Sequence, residues 1–461
     1  MYGTMIRKIK WNNYNLLGDL TLDFTKEDGT VYSTIILAGE NGTGKTTILE
    51  TLAAFLNLGP ITPFEYIDYT PDGNITYQIT PSEVYANVLG WHIRTNLHDG
   101  SSQEIKSGRS NNENSIKNDA EDLRHYGFAY SKARSGFNTK QVKSVTTMQI
   151  DSEKYEADEQ DDFTRVKQLL IDIEQQDDSA WRMESSRGGL SDEKYEAFET
   201  QHSKLYRFRK AFNEFFADIK YVGVDNNSST EKKIIFEKHG QKITLDELST
   251  GEKQIVFRGA HLLRNLRSIN GGIVLIDEPE LSMHPRWQEK ILEYYRGLFT
   301  VNSVQTVQMI IATHSEYVIR SALQDRENVL IIVLSDDNGR IVSKKITAPN
   351  ILTCITAAET NYIAFNIASV DYHIELYACL QAKSGKYNIA ECDQYIASQI
   401  QFYDATKHEK IDHQCHRHKQ YQTLPTYIRN AIDHPDSGKK YTEEELKRSI
   451  ELLIDLCQNV K

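Results

Sequence analysis

The sequence predicts an α/β fold: a mixed sheet flanked by helices around a phosphate-binding loop, with a helical insertion and an α-helical C-terminal domain. Three apolar runs carry that prediction. Residues 35–38 lead into Gly39-Glu40-Asn41-Gly42-Thr43-Gly44-Lys45-Thr46, a full G-x-x-x-x-G-K-[ST] match, and Thr47 begins a helical pattern. Residues 272–276 end in Asp277-Glu278-Pro279, and residues 309–312 end in Thr313-His314-Ser315. An uninterrupted apolar run that ends in a polar residue suits a strand buried on both faces whose tip reaches a ligand crevice.

Each tip implies a chemistry. Glycines at 39, 42 and 44 let backbone N–H groups curl around phosphates, Lys45 neutralises the terminal phosphate charge, and Thr46 can ligate Mg²⁺. Gly39, Glu40, Asn41, Gly42, Thr43, Gly44, Lys45, Thr46 and Thr47 are therefore the expected ATP-binding residues. Asp277 is expected to hold the Mg²⁺ shell with Thr46, and Glu278 to orient or deprotonate the attacking water. His314, at the next strand tip, is expected to sense the terminal phosphate and couple it to movement.

Between these runs stands Leu248-Ser249-Thr250-Gly251-Glu252-Lys253-Gln254, opening another helical pattern. Here the chain resembles the ABC-type P-loop ATPases, whose signature reads LSGGQ or, in soluble members, LS-x-GE. In that family the signature of one protomer closes over nucleotide held by another. The resemblance thus implies roles in ATP binding for Ser249, Gly251 and Glu252, and a homodimer or higher oligomer joined through composite ATP sites. The stretch 277–288, DEPELSMHPRWQ, is similar to soluble AAA-type members of this layout and unlike the DEPTSALD of transporters. His284 stands at the inter-subunit position of that comparison, or is a turn histidine before Pro285. Residues 6–11 and 20–24 alternate as strands should, and resemble the two N-terminal strands on which adenine stacks in this class. No Q-loop glutamine is identified; Arg134, within HYGFAYSKARS, is a weak nucleotide or partner contact.

Composition narrows the class. The 461 residues suffice for two or three domains, placed at 1–60 with 235–348 (ATPase head), 61–234 (an insertion between phosphate loop and signature, mixed and then helical) and 349–461 (helical interaction domain). No apolar stretch approaches a membrane span, the N-terminus lacks a signal-peptide core, and the five cysteines form no paired spacing. These features predict a cytoplasmic chain without a membrane partner. In the insertion, helices are expected near 160–177 and 191–219. The second carries Tyr195, Phe198, Leu205, Phe208, Phe212, Phe215 and Phe216 at helical spacing, a pattern of core or dimer contact.

Asp336-Asp337-Asn338-Gly339 is what a tight turn between two strands demands. No Toprim arrangement follows, which argues against the overcoming-lysogenization-defect and Gabija nucleases. Beyond residue 355 the pattern is helical, and it includes Arg429-Asn430 followed by His434. Arg-x4-His resembles the motif of HEPN-like domains, where in ribonuclease members these residues support cleavage through the RNA 2′-hydroxyl. Arg429 and His434 are thus a nuclease or partner site, with assembly or docking the preferred reading. The cluster His408, His413, Cys415, His416 and His418 lacks structural-zinc spacing; its interleaved cations suit a basic loop that meets an acidic partner or nucleic acid.

Taken together, the motif order, the modest insertion and the tail motif resemble the PtuA family, the ATPases of Septu and of some retron anti-phage systems. That resemblance implies an HNH-type nuclease partner, PtuB, and a nucleotide-gated scaffold that holds or restrains it. Two alternatives are an ATP-regulated ribonuclease acting through Arg429 and His434, and a DNA-repair ATPase that clamps duplex DNA. A net charge of −12 weighs against the last, since phosphate binding needs a basic surface. Nucleic acid can still be reached through the complex.

Overall fold

The computed structural model describes residues 3–71, 75–85, 88–108, 115–133, 155–157, 164–188, 191–203, 205–225, 231–263, 271–301, 303–412 and 420–460. The chain divides into two compact units, Met1–Lys345 and Ile346–Lys461.

The first unit opens with β1 (Met5–Trp11), β2 (Thr21–Asp23) and β3 (Thr34–Gly39), and the phosphate loop then feeds α1 (Lys45–Leu56). All six residues of β3 are buried, as a strand covered on both faces requires. Four antiparallel strands follow: β4 (Phe64–Thr70), β5 (Tyr77–Thr80), β6 (Trp91–Asn96) and β7 (Ser102–Lys106). They extend the N-terminal hairpin into a six-stranded sheet ordered β2-β1-β4-β5-β6-β7. Next, β8 (Phe128–Ser131) and β9 (Tyr155–Ala157) join the sheet that contains β3. The segment 61–234 is therefore not one inserted body: its first part completes both head sheets. Tyr69, Ile79, Phe128 and Tyr130 are core residues, but short strands such as the four-residue β5 and β8 carry little sequence signal.

Only the later part of that segment is helical, with α2 (Thr164–Gly188), α3 (Asp192–His202) and α4 (Tyr206–Phe215). Apart from Tyr195, which is 40% exposed, the aromatic stripe is core. Phe208, Phe212, Phe215 and Phe216 are buried, and Phe212 packs on Phe236 with ring centroids 5.3 Å apart. Phe236 lies in the small antiparallel sheet formed by β10 (Ile219–Asp225), β11 (Lys233–Lys238) and β12 (Gln241–Thr244).

The remainder returns to the central sheet. It comprises α5 (Thr250–Leu263), β13 (Ile273–Asp277), α6 (Pro285–Leu298), a two-stranded ribbon of β14 (Thr300–Val301) and β15 (Val304–Gln305), β16 (Gln308–Thr313), α7 (Glu316–Ala322), β17 (Val329–Asp337) and β18 (Arg340–Lys345). The central order is β18-β17-β3-β16-β13-β8-β9. Every neighbouring pair is parallel except the β17–β18 hairpin. That hairpin turns at Asn338 and Gly339, both at positive φ (54° and 85°), and Asp336 accepts from the Gly339 N–H. The Asp-Asp-Asn-Gly run is thus a turn. One core joins the two sheets: Ile6, Ile9 and Trp11 of β1 meet Ile48, Leu49 and Leu52 of α1 and Ile35, Leu275 and Ile310 of the central sheet.

The second unit is helical: α8 (Ala357–Phe365), α9 (Val370–Ser384), α10 (Ile389–Ser398), α11 (Ala405–His408), a short ribbon of β19 (Glu409–Asp412) and β20 (Tyr421–Thr423), α12 (Leu424–Asp433) and α13 (Glu443–Asn459). Its core gathers Leu376, Leu380, Ile428, Ile450, Leu453 and Leu456. Cys379, Cys392 and Cys457 are buried there as free thiols.

Candidate functional site

The phosphate loop crosses from the C-terminal end of β3 to α1, and its glycines are needed for two different reasons. Gly39 (φ 152°) has no room for a side chain, because a Cβ would stand 2.3 Å from the Leu334 carbonyl oxygen. Gly44 (φ 81°) would strike Leu17, whereas Gly42 (φ 83°) faces open space and is required by its backbone alone. The Lys45 ammonium is buried and donates to the carbonyls of Gly39 (2.7 Å) and Glu40 (2.8 Å). Burial pulls its pKa down to about 8, against the upward pull of Glu278, Asp277 and Glu280. The loop thus stores its cation against its own carbonyls.

Opposite the loop is the tip of β13. Thr46 Oγ1 donates to Asp277 Oδ2 at 2.9 Å, joining the first turn of α1 to the acidic strand. Asp277 is buried, and burial raises its pKa to about 6. Its second oxygen, Oδ1, has no hydrogen-bond partner among the described residues. Glu278, one residue on, sits at φ 44°, a backbone region that a side chain bearing Cβ occupies only under strain. Its N–H donates to the Ala312 carbonyl (2.9 Å), and its carboxylate lies 3.3 Å from His314 Nε2. Burial, then the nearby Lys45 charge, depress the His314 pKa, so the imidazole is held neutral more readily than in water. Lys45, Thr46, Asp277, Glu278 and His314 thus come together at one crevice, at the C-terminal ends of three adjacent parallel strands.

Two residues that the sequence reading passed over hold this arrangement. Glu280, buried, accepts from Thr313 Oγ1 (2.6 Å) and the His314 N–H (2.8 Å), fixing the β16 tip against the β13 tip. Arg258 of α5 is buried and donates to three backbone carbonyls, those of Glu278 (2.8 Å), Asp277 (2.5 Å) and Lys132. The second glutamate of DEPE was visible as a motif letter. Arg258 had no signal, because an arginine on a helical pattern reads as a solvated face.

The LSTGEKQ segment begins α5. Ser249 and Thr250 are exposed, while Leu248, Gly251 and Glu252 are buried. Glu252 accepts from the Ser249 N–H (2.8 Å) and from Lys238 Nζ (2.6 Å). Among the described residues these contacts make it a capping and bridging residue. A Cβ on Gly251 would meet the Ser282 carbonyl at 2.9 Å and Trp287 at 3.3 Å. No hydrogen bond or ion pair among the described residues ties residues 248–252 to the phosphate loop of the same chain. His284 caps α6, accepting the Arg286 N–H at 3.2 Å through Nδ1, which is the turn-histidine arrangement.

In the second unit Arg429 pairs with Asp433 (2.5 Å) and donates to Asn430 Oδ1 (3.0 Å). His434 is the exposed C-cap of α12. Lys439 pairs with Asp412 (2.5 Å), to which Asn430 also reaches at 3.5 Å. His413, Cys415, His416 and His418, like Arg134, lie outside the described residues. No group of three or more potential metal ligands forms among the described residues.

A donor set of threonine hydroxyl and carboxylate, with one buried carboxylate oxygen unpartnered, fits Mg²⁺, a hard cation that keeps most of its water. A glycine loop leading into the N-terminus of α1, with Lys45 at its first turn, fits the phosphates of a nucleotide.

Comparison with known proteins finds the following similarities. Residues 92–320 match a family described as AAA domain, putative AbiEii toxin, Type IV TA system. The chain is 30% identical over 139 residues to the retron Vc95 probable ATPase of Vibrio cholerae serotype O1 biovar El Tor, covering 27% of this chain and 26% of that one. It is 32% identical over 108 residues to the retron Ec83 probable ATPase of Escherichia coli, covering 22% and 19%. Over 358 residues it is 20% identical to Septu protein PtuA of Bacillus mycoides (strain KBAB4), covering 74% of this chain and 42% of that protein. The chain thus matches less than half the length of each of these relatives. Among solved structures, the SmcHead bound to the C-winged helix domain of ScpA aligns at 14% identity with a TM-score of 0.40, covering 75% of this chain and 99% of that one. The Smc head with an extended coiled coil from Pyrococcus furiosus aligns at 14% and 0.37, covering 74% and 96%. The chain is thus similar in sequence to PtuA and the retron ATPases, and its own strand order, phosphate loop and acidic tip form an ABC-type P-loop ATPase head.

Proposed function

We propose that this chain is the ATP-binding, ATP-hydrolysing component of an anti-phage defence complex, acting as a nucleotide-gated scaffold for a nuclease partner of the HNH type, PtuB. The observation that carries the ATPase part is the hydrogen bond from Thr46 to Asp277, with Lys45, Glu278 and His314 around it. The loop N–H groups and Lys45 hold the phosphates, and Thr46 and Asp277 hold Mg²⁺, which neutralises charge on the phosphate oxygens. Glu278 accepts a proton from, or orients, the attacking water, and neutral His314 beside it reports whether the terminal phosphate is present. Ser249, exposed at the start of α5, with Gly251 and Glu252 behind it, closes over nucleotide held by a second copy, giving a homodimer or higher oligomer with two composite sites.

The partner-gating part rests on the likeness to Septu protein PtuA. No helix among the described residues is long and apolar enough to cross a membrane, and the scaffold reading places the complex in the cytoplasm, reaching nucleic acid through the nuclease. Because Arg429 is already paired with Asp433, the C-terminal unit is read as a docking module ahead of the ribonuclease alternative. The DNA-clamp alternative has the net charge of −12 against it.

The test is co-purification with the product of the neighbouring gene, followed by nuclease assays on DNA and RNA with and without ATP. A pair that cuts DNA in a nucleotide-dependent way, with this chain alone inactive, supports the scaffold. RNA cleavage by this chain alone, lost in His434→Ala, replaces it with the ribonuclease reading. Salt-sensitive duplex binding by the isolated dimer favours the clamp.

A further inference from the structure

Next to the acidic tip lies a hydroxyl that nothing above uses. Tyr130, on β8, is only 1% exposed. β8 runs parallel to β13 with Tyr130 opposite Leu275. Side chains alternate along a strand, so Asp277, two residues beyond Leu275, points to the same face as Leu275. Tyr130, Phe128 and Leu275 all belong to the core that contains α1, which places the phenol on the α1 side, the side from which Thr46 reaches Asp277. Tyr130 Oη and Asp277 Oδ1 are both without hydrogen-bond partners among the described residues, as is Arg258 Nε nearby. Among charged groups Asp277 acts most strongly on the phenol, ahead of Glu50 and Arg258, and Lys132 Nζ lies 5.8 Å from its ring centroid. Each buried, unpartnered polar atom costs on the order of 1–3 kcal/mol, so the two oxygens, on one side of a folded core, call for a common partner.

We infer that Tyr130 is a positioning residue of the metal site: its hydroxyl oxygen and Asp277 Oδ1 together accept the two hydrogens of one water bound to Mg²⁺. Water on a cation turns its lone pairs to the metal and its hydrogens outward, so it needs acceptors. A phenol oxygen is an uncharged one, which adds no further repulsion beside Asp277 and Glu278. This inference rests on the Mg²⁺–nucleotide reading of the crevice.

Binding of ADP is measured by calorimetry across a Mg²⁺ titration, and in EDTA, for the full-length chain and for Tyr130→Phe. Loss of one hydrogen bond to the metal-bound water is expected to raise the Mg²⁺ concentration of half-maximal effect about fivefold, with ADP affinity in EDTA unchanged. Tyr69→Phe removes another buried phenol, one that donates to the Glu121 carbonyl, and is expected to leave the Mg²⁺ half-point where it is. A half-point in Tyr130→Phe within twofold of the parent overturns the inference, all the more so if the variant melts higher, as removal of an idle buried hydroxyl would make it do. If the parent chain binds ADP with no response to Mg²⁺, the metal reading fails, and this inference with it. If Tyr69→Phe shifts as much as Tyr130→Phe, the effect is general to the core and the inference is likewise overturned.

Discussion

Two arginines show how differently the two units use polar side chains. Arg258 is buried in the head and spends its guanidinium on three backbone carbonyls at the tips of β13 and β8. Arg429, in the C-terminal unit, is partly exposed and pairs with Asp433 one turn along its own helix. The head buries acids and a lysine close together, leaving Asp277 Oδ1 and Glu280 Oε2 without protein partners among the described residues. Around α12 the charges are matched within the unit: Arg429 with Asp433, and Lys439 with Asp412. Buried groups short of partners are a poor way to stabilise a fold and a good way to hold a ligand. Charges already matched do the opposite, which is why the two sites earn different functional readings.

The sharpest way to break this contrast is at the crevice itself. Lys45→Ala is expected to abolish measurable ATP binding. Glu278→Gln is expected to leave binding intact and slow hydrolysis on the order of a hundredfold or more, since it removes only proton acceptance. Single-turnover hydrolysis with a parallel binding titration separates the two. Equal losses of binding in both variants would show that Glu278 is a structural residue of the strained turn at φ 44°.

Next in size is Arg258→Met. Methionine fills the volume but leaves three carbonyls without their donor, at a cost of roughly 3 kcal/mol or more. The denaturant midpoint of the head should fall accordingly. Arg258 joins the helix that starts at the LSTGEKQ segment to the carbonyls of Asp277 and Glu278. ATP hydrolysis should therefore fall even at temperatures where the variant remains folded. A variant of parental stability would mean that water replaces the guanidinium and that the helix is not anchored there.

How legible these features were depended on their local signal. Runs of apolar residues ending in GENGTGKT, DEPE and THS announce buried parallel strands and their tips, because the strand and its chemistry sit side by side in sequence. Those tips meet in space because β16 inserts between β3 and β13, an order that no local pattern encodes. The strands β4–β8 were read as insertion because their alternation is weak and their partners, β1 and β13, lie far away in sequence. The partnerships of Tyr130, Glu280 and Arg258 were invisible for the same reason: each depends on register between distant segments. In the tail the reverse held. Arg-x4-His was easy to see, yet α12 ends at Asp433, and the local i,i+4 pairing of Arg429 supplies a structural use for half of that motif.

Smaller still is a pH effect that the two units share. His92 in the head and His373 in the C-terminal unit are both fully buried, and desolvation pushes each pKa down to about 3. A histidine kept neutral in the folded state but titrating near 6.5 when unfolded favours unfolding as pH drops. Its stabilising share is complete above the unfolded pKa and is lost as pH falls from about 6.5 toward about 3. Between pH 7 and pH 5 each such histidine removes about 2 kcal/mol by this linkage. His373 Nε2 lies 2.9 Å from Ser449 Oγ, joining α9 to α13. His373→Gln should flatten that part of the acid sensitivity, measured as the difference in unfolding free energy at the two pH values. An unchanged slope would mean that the C-terminal unit admits a proton at His373 while folded.

The smallest expected change tests the C-terminal reading. Arg429→Ala removes an i,i+4 ion pair whose arginine is 24% exposed and whose aspartate is 37% exposed, and such pairs contribute only about 0.3–0.5 kcal/mol. Together with His434→Ala, which alters an exposed C-cap, the double variant should melt within a few degrees of the parent. Its ATP binding and hydrolysis should be unchanged. If it also retains every nuclease activity of the reconstituted complex, the motif is a structural feature of a docking unit. If the complex assembles normally and loses RNA cleavage alone, the exposed histidine at the end of α12 is the reactive group. The comparison between the two units would then reverse, with the matched charges holding an active site and the buried, unmatched ones regulating it.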